Sequence, residues 1–498
     1  MKNINLIYVF PDQFRQMSLG IWQDSQLSHL IPGNGDPVET PNLNAFAMQS
    51  TIYPNAVSNC PLCSPYRGSL FTGQYPAKSG VPLNCNSERP LSELPSDAEC
   101  LTDLLAASGY DIGYIGKWHL DFPTKNDPAN PLNYVGVNSS SDKEMNSFQA
   151  VWDSYTEPHR RHNINYWYGY GTFDQHNNPH YYDNDGIRSI PNCWSAEHEA
   201  NKAIDYLKNS HHQRDINKPF ALFIAMNPPH TPYSSVDDCR KSDWLTYKDR
   251  APHELLLRDN VDFNLNKTQF AQFYFASVTG VDQQFGRIIQ QVKDMGEWDN
   301  TVIIFTSDHG DMLCSHGIEE EKNCIYNEAF SVPFLLKSAK ANGLEINSLF
   351  INSADIFPTI LTELNLDDIC PINIDGKSRS KKLINNINHK ENNQDQAALY
   401  IKNLDGERDK NNNFINYFPC SRGVKTTTKT LALEINEQNK LINTLYFNNI
   451  KDPYQLNNLP FNPNGKDEIE LLRILAKELI RVEDPWYKRK ILSKIVPY

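Results

Sequence analysis

The residues of this chain best suited to chemistry lie in Cys63-Ser64-Pro65-Tyr66-Arg67-Gly68-Ser69-Leu70-Phe71-Thr72-Gly73. Pro65 has no amide hydrogen to lose and a φ already suited to a first helical turn, and Gly73 can close the other end, so the spacing predicts a short helix from about Pro65 to Thr72. Residues four apart share a helix face, which puts Arg67 beside Cys63, and the first-turn amides aim their partial positive charge at the same point. A thiol, a guanidinium and a helix start make a pocket for an anion. Two other readings stay open on these residues alone. Cys63 can be a buried structural thiol beside a surface arginine, or Cys60-Pro61-Leu62-Cys63 can be a redox or zinc pair, although no second closely spaced pair follows.

The elements that must position such a site are strands. Leu6-Ile7-Tyr8-Val9-Phe10 ends at Pro11-Asp12, Ile112-Gly113-Tyr114-Ile115 at Gly116-Lys117, Ala221-Leu222-Phe223-Ile224-Ala225 leads to His230, and Thr301-Val302-Ile303-Ile304-Phe305-Thr306 ends at Ser307-Asp308. Short continuous apolar runs of this kind read as buried parallel strands. Ligands bind at the carboxyl ends of such strands, so four ends that deliver Asp, Lys, His and Asp imply one convergent site. Helical patterns over Leu101 to Ala107, Ala200 to Leu207 and Phe270 to Met295 alternate with them. The expected fold class is α/β, a large mostly parallel sheet sandwiched by helices. Asp12 and the pair Asp308-His309, at strand ends, are suited to a hard cation; as isolated residues they can equally be loop caps.

The texture changes near residue 377, where lysine- and asparagine-rich stretches such as Asn411-Asn412-Asn413 mark polar linkers. The expected division is 1–376, carrying the site, and 377–498, a smaller C-terminal unit that contributes to the pocket. Thr426 to Ile442 alternates like a strand pair with a turn near Asn436 to Asn439, and Glu468 to Val482 is apolar at helical spacing. A small antiparallel sheet with a helix is expected there. At 498 residues and 39% hydrophobic content the chain can bury one large core and a second smaller one. The net charge of −13 argues against nucleic acid as a partner. No run of about 18 apolar residues exists, so no membrane insertion is expected. Met1-Lys2-Asn3-Ile4 leads straight into the first strand with no signal peptide visible, which reads as cytoplasmic as it stands, or exported if a leader has been removed. Ten irregularly spaced cysteines are expected to be mostly free thiols.

Cys63-Ser64-Pro65-Tyr66-Arg67 resembles the C-x-P-x-R signature of the type I sulfatases of the alkaline-phosphatase-like superfamily, with Tyr66 where the family usually has serine. Gly116-Lys117-Trp118-His119 is similar to the family's G-K-W-H element, Pro229-His230-Thr231-Pro232 to its P-H-x-P element, and Lys322 lies fourteen residues after Asp308 as its second sulfate-binding lysine does. Weaker matches run along nearly the whole chain, among them Thr40-Pro41-Asn42-Leu43, Asp355-Ile356-Phe357-Pro358-Thr359 and Asp452-Pro453. The resemblance implies that a formylglycine-generating or anaerobic sulfatase-maturating enzyme oxidises Cys63 to formylglycine (3-oxoalanine). It also implies that Asp12, Gln13, Asp308 and His309 hold a divalent ion at residue 63, calcium by preference with magnesium or manganese as alternatives. The aldehyde hydrate would attack the sulfur of a sulfate ester, with Arg67 assisting, Asp308 as base, Lys117 and Lys322 neutralising the sulfuryl oxygens, His230 protonating the leaving alcohol and His119 taking the proton that lets sulfate depart.

The substrate reading rests on Asn165-Tyr166-Trp167-Tyr168-Gly169-Tyr170, the following His176, His180, Tyr181 and Tyr182, and Arg160-Arg161 before them, since aromatic faces beside cations suit a sulfated sugar. Several of these rings are also ordinary packing residues. Relatives place substrate-reading groups in this region, so His176 is an expected contact, with Arg422 a second from the C-terminal unit. A sulfated polysaccharide or oligosaccharide, of glycosaminoglycan or algal type, is the leading substrate class. A phosphonate or phosphate ester, or choline sulfate, is the alternative within the superfamily. A non-catalytic glycan-binding protein with unmodified Cys63 is the alternative outside it.

Overall fold

The computed structural model describes residues 4–86, 92–122, 124–125, 152–153, 155–172, 174–341, 343–384, 397–407, 410 and 415–496. The Asn5–Val9 strand pairs in parallel with both Phe220–Ala225 and Thr301–Thr306; Phe220–Ala225 pairs with Asp111–Lys117, which pairs with Tyr166–Tyr170, again in parallel. Antiparallel strands continue the sheet at both edges, Phe334–Lys337 and Thr51–Ile52 on one side and Tyr181–Tyr182 on the other, and the two outer strands Glu345–Ile346 and Arg188–Ser189 complete the ten.

Why these runs are apolar throughout follows from the layers. Successive residues of a strand point to opposite faces. Ile7, Val9, Leu222, Ile224, Ile303 and Phe305 join one buried cluster, with the Ser195–Lys208 and Ala271–Asp294 helices over it. Leu6, Tyr8, Ala221, Phe223, Val302 and Ile304 join the other, under the Cys63–Thr72, Leu101–Ala107 and Ile356–Glu363 helices. The fold is therefore a mostly parallel sheet covered by helices on both faces.

The C-terminal part forms a four-stranded antiparallel sheet of Ala397–Asp405, Tyr417–Thr426, Lys429–Ile435 and Leu441–Asn448. The expected strand pair is thus one end of a larger sheet, Lys429–Ile435 with the edge strand Leu441–Asn448, with its turn at Asn436–Lys440 closed by Asn436. Leu399, Ile401, Leu431 and Leu433 pack under Leu471, Leu472, Leu475 and Leu479 of the Lys466–Arg481 helix. The opposite face, through Ala398, Tyr400 and Ala432, packs on Ile325, Phe330 and Phe350 of the larger body. All ten cysteines are free thiols. Among the described residues no helix is long and apolar enough to cross a membrane.

Candidate active site

The Cys63–Thr72 helix starts after the extended Leu62 and stops at Gly73, whose φ of 65° is the left-handed closing conformation and whose N–H bonds to Ser69 O at 2.9 Å. Every residue of this helix is buried. Tyr66 packs in the hydrophobic layer against the sheet, where its hydroxyl meets that of Tyr8 at 2.8 Å. The departure from the usual serine is therefore a packing change.

Four strand ends converge on Cys63. Its Sγ lies 3.3 Å from His309 Nε2, 3.4 Å from Lys322 Nζ and 3.7 Å from Asp12 Oδ1. Burial pushes this thiol up, but the positive charges of Lys322, Lys117 and His309 outweigh it and hold it well below the usual thiol range. At the other buried cysteines burial prevails, and it raises Cys60 to about 12 despite Arg422 nearby. A structural thiol has no need of such surroundings, whereas any anionic group on residue 63 does.

Arg67 binds the site from beneath. Its Nη2 donates to Asp12 Oδ2 at 3.2 Å and to Asp308 Oδ2 at 3.1 Å, while Nη1 donates to the Lys117 carbonyl. All three side chains of this ion-pair pattern are fully buried. Burial and the neighbouring Cys63 raise the Asp12 carboxyl, but Lys117, His230 and Arg67 prevail and hold it below the carboxylate range. Asp308 goes the other way, raised by burial and by the charge of Asp12.

Lys117 reaches the site because Gly116 adopts φ 101°, a conformation open to glycine, with its Cα pressed against the Ala225 carbonyl where no Cβ fits. Its Nζ then sits between Asp12 Oδ2 at 3.0 Å and Asp174 Oδ1 at 2.8 Å. Gln13 and His119 are also in the left-handed region, with φ of 64° and 53°. Non-glycine residues held there store backbone strain, which collects at functional sites. His119 Nε2 bonds to the Cys85 carbonyl at 3.1 Å and its buried Nδ1 has no hydrogen-bond partner. His230 holds Thr231 O at 2.7 Å through Nδ1, and its Nε2 is 2.7 Å from Lys322 Nζ.

Asp12, Cys63, Asp308 and His309 bring one donor atom each within 4.8 Å of one another, all buried. His309 Nδ1 donates to Gly310 O at 2.9 Å, so in its neutral form the ring turns the Nε2 lone pair toward this cluster, as a bound cation would require. Two carboxylates and an imidazole suit a divalent cation. Gln13 stands beside the donor set: its Oε1 accepts from Lys322 at 3.0 Å and its Nε2 donates to Asp311 and Glu321.

Two expected substrate contacts do not reach the pocket. Arg422 is buried in the C-terminal sheet, where Nε pairs with Asp484 at 2.9 Å and its other nitrogens bind Lys402 O, Ser421 O and Asn403. His176 is buried behind His230, bonding its carbonyl at 2.6 Å, and burial brings its ring to about 4. It positions His230 as a neutral ring. Tyr166, Trp167, Tyr168 and Tyr170 are core residues of the main sheet, and Arg161 is stacked on Trp167 at 5.0 Å from Tyr155. Asp174 is a pocket residue that the sequence reading missed; its place just past the Tyr166–Tyr170 strand end is the signal that would have found it.

A helix-covered parallel sheet bearing a cysteine, three cationic side chains and a carboxylate–imidazole donor set at its strand ends has the architecture of the alkaline-phosphatase-like hydrolases. The Sulfatase family model matches residues 4–366, and the chain belongs to that family and is a sulfuric ester hydrolase. The chain is 46% identical over 495 residues to the endo-4-O-sulfatase of Bacteroides thetaiotaomicron, covering 99% of this chain and 95% of that protein. It is 29% identical to the ulvan-active sulfatase of Formosa agariphila, over 99% of this chain and 84% of the relative. A solved structure described within the metabolism of multiple glycosaminoglycans by Bacteroides thetaiotaomicron superposes with a TM-score of 0.92 at 45% identity, covering both chains fully.

Proposed function

We propose that the protein removes sulfate from 4-O-sulfated sugars within a glycosaminoglycan-type chain. The observation that carries the reading is the convergence of Lys322, His309 and Asp12 on Cys63, with Arg67, Lys117 and His230 around them. The position of the sulfate and the internal mode of attack are supported by the 46% identical relative named an endo-4-O-sulfatase.

Formylglycine at residue 63, installed by a maturating enzyme, would supply as its hydrate an oxygen nucleophile, and a divalent cation, calcium by preference, would supply charge that lowers the pKa of that hydroxyl. Asp12, Asp308 and His309 are the residues that would hold the cation. Lys117 and Lys322 place two ammonium groups beside residue 63, fixed by buried partners, so they neutralise sulfuryl oxygens without reorganising. His230 keeps its Nδ1 proton on Thr231 O, and Nε2 takes a hydrogen bond from Lys322; a proton held between those two nitrogens stands ready for the departing alcohol. His119, with Nε2 committed to Cys85, keeps Nδ1 as a proton acceptor beside residue 63. Arg67 fixes both carboxylates.

The test is desulfation of defined oligosaccharides sulfated at the 4, 6 or 2 position, with a phosphonate monoester and choline sulfate as comparators. Preferential release from internal 4-O-sulfated residues supports the reading. Equal or greater turnover of the phosphonate, or release confined to another position, overturns it.

A further inference from the structure

Asp174 is out of place in a pocket built for an anion. Its Oδ1 is 2.8 Å from Lys117 Nζ and 3.5 Å from His230 Nδ1, and its side chain is 30% exposed, whereas Asp12 is fully enclosed. The single charge of Lys117 is already met by Asp12 at 3.0 Å. Asp174 therefore sets a second carboxylate between a sulfate-binding ammonium and the His230 ring and offsets the positive charge there. Arg67 and Lys322 hold partners around residue 63, so the direct ion-pair partners of Asp174 are Lys117 and His230.

An ion pair with Lys117 alone is an incomplete account, because Asp12 would neutralise Lys117 without it and Asp174 also faces the His230 ring. What the second carboxylate changes is the charge the pocket tolerates. A sulfate ester is a monoanion, while inorganic sulfate is a dianion, and so is a phosphate monoester above its second pKa of about 6. A like charge some 5 Å away at an effective dielectric near 20 costs on the order of a hundredfold in binding, reduced to about tenfold or more by solvent at a partly exposed carboxylate.

We propose that Asp174 is a specificity-determining residue that selects monoanionic sulfate esters over dianions, so that the pocket binds the ester, expels the sulfate it has made and rejects phosphate monoesters. This rests on the sulfatase reading of the same site. No group on Asp174 reacts; it acts through its charge.

The experiment compares the matured wild type with Asp174→Asn, Asp174→Ser and Asp174→Glu by calorimetric titration with inorganic sulfate and with methyl sulfate, a dianion and a monoanion sharing the same sulfuryl oxygens. Loss of the charge should tighten inorganic sulfate about tenfold or more relative to methyl sulfate in both neutral variants, and Asp174→Glu should keep the wild-type ratio. A purely structural role for Asp174 would move both ligands alike. An unchanged ratio in the neutral variants overturns the proposal, as does a ratio shifted equally by Asp174→Glu, or an absence of sulfate binding to variants in which repulsion has been removed. Because binding is read directly, these outcomes are distinct from failure of the sulfatase reading, which would show as wild type that releases no sulfate from any ester.

Discussion

Arg67 is where structure and chemistry are most tightly joined, and its replacement has a calculable cost. In Arg67→Ala the guanidinium that spans Asp12 and Asp308, at 3.2 and 3.1 Å, is gone from a fully buried place. Asp12 retains Lys117 at 3.0 Å; Asp308 retains His309 at 3.7 Å. The Lys117 carbonyl is still met by the Tyr114 hydroxyl at 2.5 Å, so no acceptor is orphaned there. The loss is thus that of one partner from a buried ion pair, about 3–5 kcal/mol, with the lower end favoured by the surviving partners. At about 2 °C per kcal/mol for a large domain, Tm should fall by about 6 °C or more. Sulfate release by the folded fraction should drop at least about a hundredfold, because two mutually repelling carboxylates no longer bridged by a cation lose the geometry on which preorganisation depends. Arg67→Lys keeps the charge but not the fork, so its stability loss should be smaller, about 2 kcal/mol, while activity remains low. Thermal unfolding and initial rates of sulfate release measure both quantities. Arg67→Ala with Tm within about 1 °C and a rate within about tenfold of wild type would refute the reasoning.

Glu199 is buried, with Oε1 bonded by the Tyr181 hydroxyl at 2.9 Å and Oε2 unpartnered, and burial pushes its carboxyl up to about 8. It stays protonated in the fold where the unfolded chain ionises, so wild-type stability should fall as pH rises from about 4.5 to about 8 by up to about 1.4 kcal/mol per unit; Glu199→Gln should flatten that fall, and parallel Tm–pH curves would contradict it. Tyr66→Ser, which restores the residue usual in the family, should cost about 3–5 kcal/mol by leaving a cavity against Tyr8 while Cys63 remains convertible; unfolding and peptide mass check the two halves. Arg422→Ala should destabilise the C-terminal sheet by about 3–5 kcal/mol through an unpaired Asp484 and leave KM unchanged; a raised KM in steady-state kinetics would return Arg422 to the pocket.

The sequence was most legible where local pattern and global layout coincide. Uninterrupted apolar runs ending in Asp12, Lys117 and Asp308 could be read as buried parallel strands because both faces of this sheet are covered, and strand ends then had to converge. The Cys63 helix was legible from Pro65 and Gly73. What was misread depended on which way a side chain turns. Arg422 lies on a strand whose burial is decided by Asp484 and Trp486, far along the chain, so no local spacing could show that its donors are spent. The Tyr166–Tyr170 aromatics look like a sugar platform by composition, yet they form a sheet strand. Asp174 was invisible for the opposite reason: a lone carboxylate in a loop carries no pattern until Lys117 and His230 are brought to it.

The measurement that bears most directly on the central claim is the number of sulfates released per chain from a 4-O-sulfated glycosaminoglycan oligosaccharide. It is made on protein co-expressed with a maturating enzyme whose residue-63 peptide has the mass of the aldehyde, and compared with Cys63→Ala. The account predicts many sulfates per chain for the matured protein and none above background for Cys63→Ala. Equal release by the two, or none by protein shown to carry the aldehyde, would contradict it.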